Sequence, residues 1–196
     1  MPTVALMGGS FNPVHTGHMM VAQYVAQWCD GIDRVMMVLS PMNPLKTDMK
    51  APASDKARMD MLEIAAGSSD GLIDVSDIEL SMPRPSYTID TLNLLSSKYP
   101  DTEFRLIIGS DNWNNFDKWK NADEIIDRFG LIVYPRPGYP PVSIPDNLKD
   151  KVMIIDAPVA DISSTWIRNA IACGRRVNFF LPPGVYEYIE AESLYR

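Results

Sequence analysis

Histidine and cysteine are scarce in this chain, two of each in 196 residues. Cys29 and Cys173 show no metal-ligand spacing and follow different elements. That excludes a cysteine metal site and fits a thiol-reducing cytosol, with both thiols as small packed side chains. Cations are the minority, 18 Lys and Arg against 25 Asp and Glu, for a net charge of −7. A general polyanion-binding surface is thereby excluded, and nucleic acid with it as a partner; a few placed cations and backbone amides still suffice for a nucleotide. The opening residues show no basic stretch followed by an apolar core, and no apolar run reaches membrane length, so neither a signal peptide nor a membrane span is expected. Asp74, Asp77 and Glu79 read as a solvated edge rather than a metal site, and no internal repeat or low-complexity tract interrupts the chain. With 46% hydrophobic residues, the length suits one core, hence a single domain over residues 1–196.

Scarcity makes the two histidines informative, because His15 and His18 stand three residues apart in GGSFNPVHTGH, directly after the apolar run at residues 4–7. A strand, a glycine turn and His-x-Gly-His opening a helix form a phosphate-handling arrangement. Small residues let the backbone approach an anion, and a helix N-terminus offers unpaired N–H groups at the positive end of its dipole. Two imidazoles there can donate hydrogen bonds to oxygens that gain charge during transfer. The competing reading, one histidine capping the turn and the other packing, suits a lone histidine better than a pair in this frame.

Short β-like runs alternate with amphipathic stretches. Strands are expected at residues 4–7, 34–39, 72–75, 104–108, 131–134 and 152–155. Helical spacing places Val21, Tyr24, Val25 and Trp28 on one face of residues 19–28, and Met59, Met61, Leu62 and Ala65 inward in a helix capped by Ser54 and reaching Ala66. Further helices are expected at residues 88–99, 121–129, 164–173 and 183–192, the first ended by Pro100 and the next two by Gly130 and Gly174. Alternation with short links means a parallel sheet covered on both faces. In such sheets ligands bind beyond the carboxyl ends of the strands. The unusual clusters fall at such ends: residues 8–18, 40–46, 109–111, 135–138 and 162–168.

At residues 162–168 the chain reads ISSTWIR. Two serines and a threonine at a strand-to-helix junction supply hydroxyls and free N–H groups to phosphate oxygens, and Arg168, four residues after Ser164, can point back toward the same anion. Alone this is an ordinary capping cluster; paired with the histidine motif it becomes specific.

GGSFNPVHTGH together with ISSTWIR resembles the nucleotidyltransferase superfamily with the HxGH signature. The segments PSYTIDTL (85–92), IIGSD (107–111) and RPGY (136–139), with Trp119 between the last two, are similar to the bacterial nicotinate-nucleotide adenylyltransferase family, over essentially the whole chain. The resemblance implies a Rossmann-like doubly wound α/β fold and transfer of AMP from ATP to nicotinate mononucleotide, with Mg2+ carried by ATP and pyrophosphate released. Substrates, not macromolecules, are the implied partners; a homo-oligomer is compatible with the sequence.

Carried onto this chain, the resemblance makes His15 and His18 catalytic and places Gly8, Gly9, Ser10, Phe11, Gly109, Asp111, Ile162, Ser163, Ser164 and Arg168 around ATP. Ser10, Lys46, Ser86, Tyr87, Thr88, Trp119 and Arg136 are assigned to the nicotinate nucleotide, the segment Ser86, Tyr87 and Thr88 meeting the ring carboxylate with backbone amides and a hydroxyl, and Trp119 stacking on the pyridine. Trp113 competes with Trp119 for that role. Two departures stand out: Asn12 where the family usually has Asp, and Leu45 where close relatives often have His. No protein-borne metal site is expected. The rivals are nicotinamide mononucleotide or another phosphorylated acceptor on the same fold, and a catalytically silent nucleotide-binding regulator.

Overall fold

Each of the six apolar runs expected to be a strand is one. The structure is a computed structural model that describes residues 1–41 and 53–196. Its strands are β1 (Thr3–Gly9), β2 (Arg34–Leu39), β3 (Ile73–Ser76), β4 (Glu103–Gly109), β5 (Leu131–Tyr134) and β6 (Val152–Ile154), in one sheet of order β3-β2-β1-β4-β5-β6. Every pairing is parallel. The helices are α1 (Thr16–Trp28), α2 (Asp55–Ala66), α3 (Thr88–Lys98), α4 (Ser110–Trp113), α5 (Ala122–Phe129), α6 (Ser164–Ala172) and α7 (Val185–Ala191).

Alternation along the strands divides the core. Ala5, Met7, Val35, Met37, Leu39 and Ile107 face one layer with apolar residues of α1, α2, α6 and α7. Val4, Leu6, Met36, Val38, Leu106 and Ile108 face the other, with residues of α3 and α5 plus Trp113 and Phe116. Burial on both faces is why the strands read as unbroken apolar runs rather than alternating ones. Ser54 caps α2, its hydroxyl accepting from the Ala57 amide at 3.1 Å. No helix among the described residues is long and apolar enough to cross a membrane.

Two packing expectations are corrected. Trp28 is 65% exposed and stacks on Tyr24 at 5.5 Å between ring centroids instead of entering the core. Cys173 is exposed, because α6 ends just before it, whereas Cys29 is buried. The strand order reverses direction between β1 and β4, which opens a crevice at their carboxyl ends. Both the histidine motif and Asp111 emerge there.

Candidate active site

The histidines sit on the first turn of α1. His15 is the residue before the helix, in extended conformation, and its backbone N–H donates to Nδ1 of His18 at 3.1 Å. That bond fixes the neutral tautomer of His18 with its proton on Nε2. The two rings stack with centroids 3.6 Å apart and planes 25° from parallel, and Phe11 meets the edge of His18 at 5.1 Å. His15 is held down to about 4 by burial and by the Arg136 cation; His18 lies well below its ordinary value through burial, the adjacent His15 and Arg136. Both imidazoles are therefore neutral hydrogen-bond donors near pH 7. Gly17 completes this packing, since a Cβ there would come within 3.2 Å of the His15 ring.

The carboxyl end of β4 supplies the opposite wall. Arg136 pairs with Asp111 at 3.5 Å, and its backbone N–H donates to Ser110 Oγ at 2.9 Å. Ser110, fully buried, donates in turn to the Tyr139 carbonyl at 2.5 Å, which pins the turn at 136–139 to the sheet. Gly109 is required by this closeness: a Cβ would press on Asp111 and reach Arg136 Cδ at 2.7 Å. Asp111 Oδ1 is buried without a hydrogen-bond partner among the described residues, as is His15 Nδ1. An orphaned acceptor and an orphaned ring nitrogen in one crevice suit a polar ligand.

The start of α6 closes the third side. Ser163 Oγ accepts from the Trp166 amide at 3.2 Å as the helix cap, while Ser164 Oγ donates to the Pro13 carbonyl at 2.8 Å. Arg168 donates to the Asn12 carbonyl at 2.8 Å and to Thr165 Oγ1 at 3.2 Å. The ISSTWIR segment is thus tied to the histidine loop, with the first N–H groups of α6 lacking partners inside the helix. The hydroxyls expected to meet an anion are partly engaged by protein, and Ile162 is half-buried against the core. The Phe11 side chain is likewise core, 2% exposed, leaving its backbone to the crevice. Gly8 is exposed at the end of β1, and a Cβ on Gly9 would meet the Phe11 ring at 2.9 Å.

A second group gathers where α3 begins. Tyr87 precedes the helix and Thr88 opens it; Lys120 Nζ lies 4.6 Å from the Tyr87 ring centroid and pairs with Asp90 at 2.8 Å. Trp119 packs on Phe116 at 5.0 Å with its Nε1 buried and unpartnered among the described residues. Trp113 is a different case: buried, with Nε1 donating to the Val142 carbonyl at 3.2 Å, it anchors the loop after the 136–139 turn. The Ser86 hydroxyl is not free for a ring carboxylate, because it donates to Glu79 Oε2 at 3.0 Å. Glu79 itself corrects the solvated-edge reading: it is buried, 6% exposed, and also accepts from Thr91 Oγ1 at 2.7 Å. Lys46 and Leu45 lie outside the described residues.

Four participants, Arg58, Asp55, Arg84 and Tyr195, were not anticipated by sequence reasoning. Arg58 is fully buried and donates to the carbonyls of Ser10 at 2.7 Å and Ser40 at 3.0 Å and to Asp55 at 2.6 Å. Asp55 also binds Arg84 at 2.8 Å, so one ion chain runs from the exposed Ser10 toward Ser86. Tyr195 donates to Asn12 Oδ1 at 2.7 Å. A cation beside the apolar inward residues of α2 is the one signal of Arg58 that the sequence carries.

Known proteins resemble this chain over nearly its whole length. A cytidylyltransferase-like family model matches residues 6–170. A protein of Flavobacterium johnsoniae described as a probable nicotinate-nucleotide adenylyltransferase is 39% identical over 193 residues, covering 98% of each chain. A protein of Bacteroides fragilis with the same description is 42% identical over 185 residues, 94% of this chain and 89% of the relative. Among solved structures, the nicotinic acid mononucleotide adenylyltransferase of Plasmodium falciparum complexed with NaAD superimposes with a TM-score of 0.79 at 20% identity, over 100% of this chain and 98% of that one, which is a likeness of fold.

Proposed function

The chain belongs to the nicotinate-nucleotide adenylyltransferase family, and we propose that its crevice between β1 and β4 carries out that reaction by direct in-line attack. The enzyme transfers AMP from ATP to nicotinate mononucleotide, giving nicotinic acid adenine dinucleotide and pyrophosphate. A phosphate oxygen of the acceptor attacks the α-phosphorus of ATP; the bond from that phosphorus to the bridging oxygen breaks, and its electron pair leaves with pyrophosphate. The nucleophile is already ionised, so no serine relay or general base is required, and catalysis is positioning plus charge stabilisation.

The observation that carries this reading is the stacked, neutral pair His15 and His18 facing Arg136. Neutral imidazoles donate N–H groups to the phosphate oxygens as charge builds, while Arg136 and Arg168 supply the cations. Unpaired N–H groups at the start of α6 receive the triphosphate, and Asp111 accepts from ribose hydroxyls. Trp119 offers its ring face to the pyridine, and the backbone N–H groups at the start of α3, rather than the Ser86 hydroxyl, meet the ring carboxylate. Mg2+, carried with ATP, would supply neutralisation of the phosphate charge. All of this lies within one domain spanning residues 1–196.

Pyrophosphate release with ATP and Mg2+, compared across nicotinate mononucleotide, nicotinamide mononucleotide and phosphopantetheine, tests the proposal. Preference for the nicotinate nucleotide supports it; preference for the amide overturns the pocket assignment. Absence of release with all three acceptors, despite ATP binding, overturns it in favour of a catalytically silent nucleotide-binding regulator. In an enzyme His18→Ala lowers turnover roughly a hundred- to thousand-fold, whereas a pure binder keeps its ATP affinity within a few fold.

A further inference from the structure

The loop between β1 and α1 has its oxygens occupied by side-chain donors from three separate parts of the chain. Arg58 on α2 takes the Ser10 carbonyl at 2.7 Å, Arg168 on α6 the Asn12 carbonyl at 2.8 Å, and Ser164 the Pro13 carbonyl at 2.8 Å. Tyr195, beyond α7, takes the Asn12 side-chain oxygen at 2.7 Å. An anion is drawn to N–H groups and repelled by carbonyl oxygens, so a loop can receive phosphate only when its oxygens are turned toward other donors. We propose that Tyr195 is a positioning residue which, with Arg58, holds the Ser10–Asn12–Pro13 loop with its oxygens committed to protein so that ATP phosphates meet its N–H groups. The inference rests on the ATP-dependent reading of the site given above.

Two features set Tyr195 apart from incidental packing. The backbone leading to this contact is left-handed at Ser193, with φ of 52°, and at Tyr195 itself, with φ of 64°. Bulky side chains rarely adopt that conformation without a compensating contact. Burial also raises the Tyr195 hydroxyl above its ordinary value, with Arg168 and Arg58 pulling the other way, so it stays a protonated donor lying among the other donors to the same loop. The Asn12 amide oxygen accepts that donor without bringing a negative charge to the loop.

Tyr195→Phe removes one hydroxyl and keeps the ring. Calorimetric titration with ATP and Mg2+, without acceptor, is expected to show binding weakened roughly three- to tenfold. The KM for nicotinate mononucleotide at saturating ATP stays at the wild-type value. Asn12→Ala gives a similar loss, and the double variant is no worse than either single one. Unchanged ATP affinity in Tyr195→Phe, or additive losses in the double variant, overturns the proposal. Titrating well below the unfolding midpoint of each variant keeps the comparison valid where stability falls. Should wild-type protein bind ATP but turn over no nicotinate nucleotide, the functional reading fails while the ATP titrations still decide the role of Tyr195.

Discussion

His15 and His18 stack at 3.6 Å between ring centroids in a buried place, where a positive charge on the imidazoles is penalised by burial and by the nearby Arg136. The folded protein holds His15 at about 4, against 6.5 for an ordinary histidine, and His18 is lowered as well. Between those values the unfolded chain binds more protons than the folded one, so this contribution to stability is complete above pH 6.5 and is lost as pH falls toward 4. The unfolding midpoint should therefore drop on acidification through that window, and His15→Asn should flatten the slope. A wild-type midpoint that rises on acidification would show that the pair is not held neutral.

Gly17 is the second consequence of that stack. With a Cβ 3.2 Å from the His15 ring, Gly17→Ala must shift the ring, since the backbone of α1 cannot move without disturbing Val21 and Val25 in the core. Glycine is a poor helix former, so alanine gains about 1 kcal/mol of helix propensity. The expected outcome is a split: stability nearly unchanged, kcat reduced at least tenfold. Steady-state rates beside thermal unfolding read both quantities, and full activity in the variant would mean that the ring position is not critical.

Much of this was legible in the sequence, for identifiable reasons. Strands buried on both faces write themselves as apolar runs, so β2 was bounded to the residue, and the glycines and histidines of the first motif need their neighbours closely spaced in the chain. Contacts between distant segments leave no such trace. The partners of Arg58 are carbonyls 48 and 18 residues away, and those of Tyr195 and Arg168 lie 183 and 156 residues away. Glu79 looked like one of several acids on an edge because its hydroxyl donors stand 7 and 12 residues further on, Ser86 just before α3 and Thr91 within it. The four residues of α4 are too few to show any period, although they place both Ser110 and Asp111. Trp28 fitted an inward stripe, yet its ring lies exposed against Tyr24 while the neighbouring Ala26 and Cys29 are the buried residues at that end of α1.

Glu79 tests how the acceptor pocket is built. It is buried with two hydroxyl donors and holds both sides of Tyr87, through Ser86 before it and Thr91 after it. Replacing it by leucine strands those donors unequally. Thr91 still reaches the Tyr87 carbonyl at 3.3 Å, whereas Ser86 loses the carboxylate that fixes it, so the loosening falls on the segment leading into the start of α3. Glu79→Leu is expected to cost about 1–3 kcal/mol of stability and to raise the KM for nicotinate mononucleotide several-fold, with the KM for ATP unchanged. Ser86→Ala should reproduce the KM effect with a smaller loss of stability, because Glu79 then keeps Thr91. Initial rates at varied acceptor and saturating ATP, alongside urea unfolding, separate the two contributions. A loss of stability in both variants with no change in acceptor KM would mean that the Ser86 tether shapes the core and not the pocket.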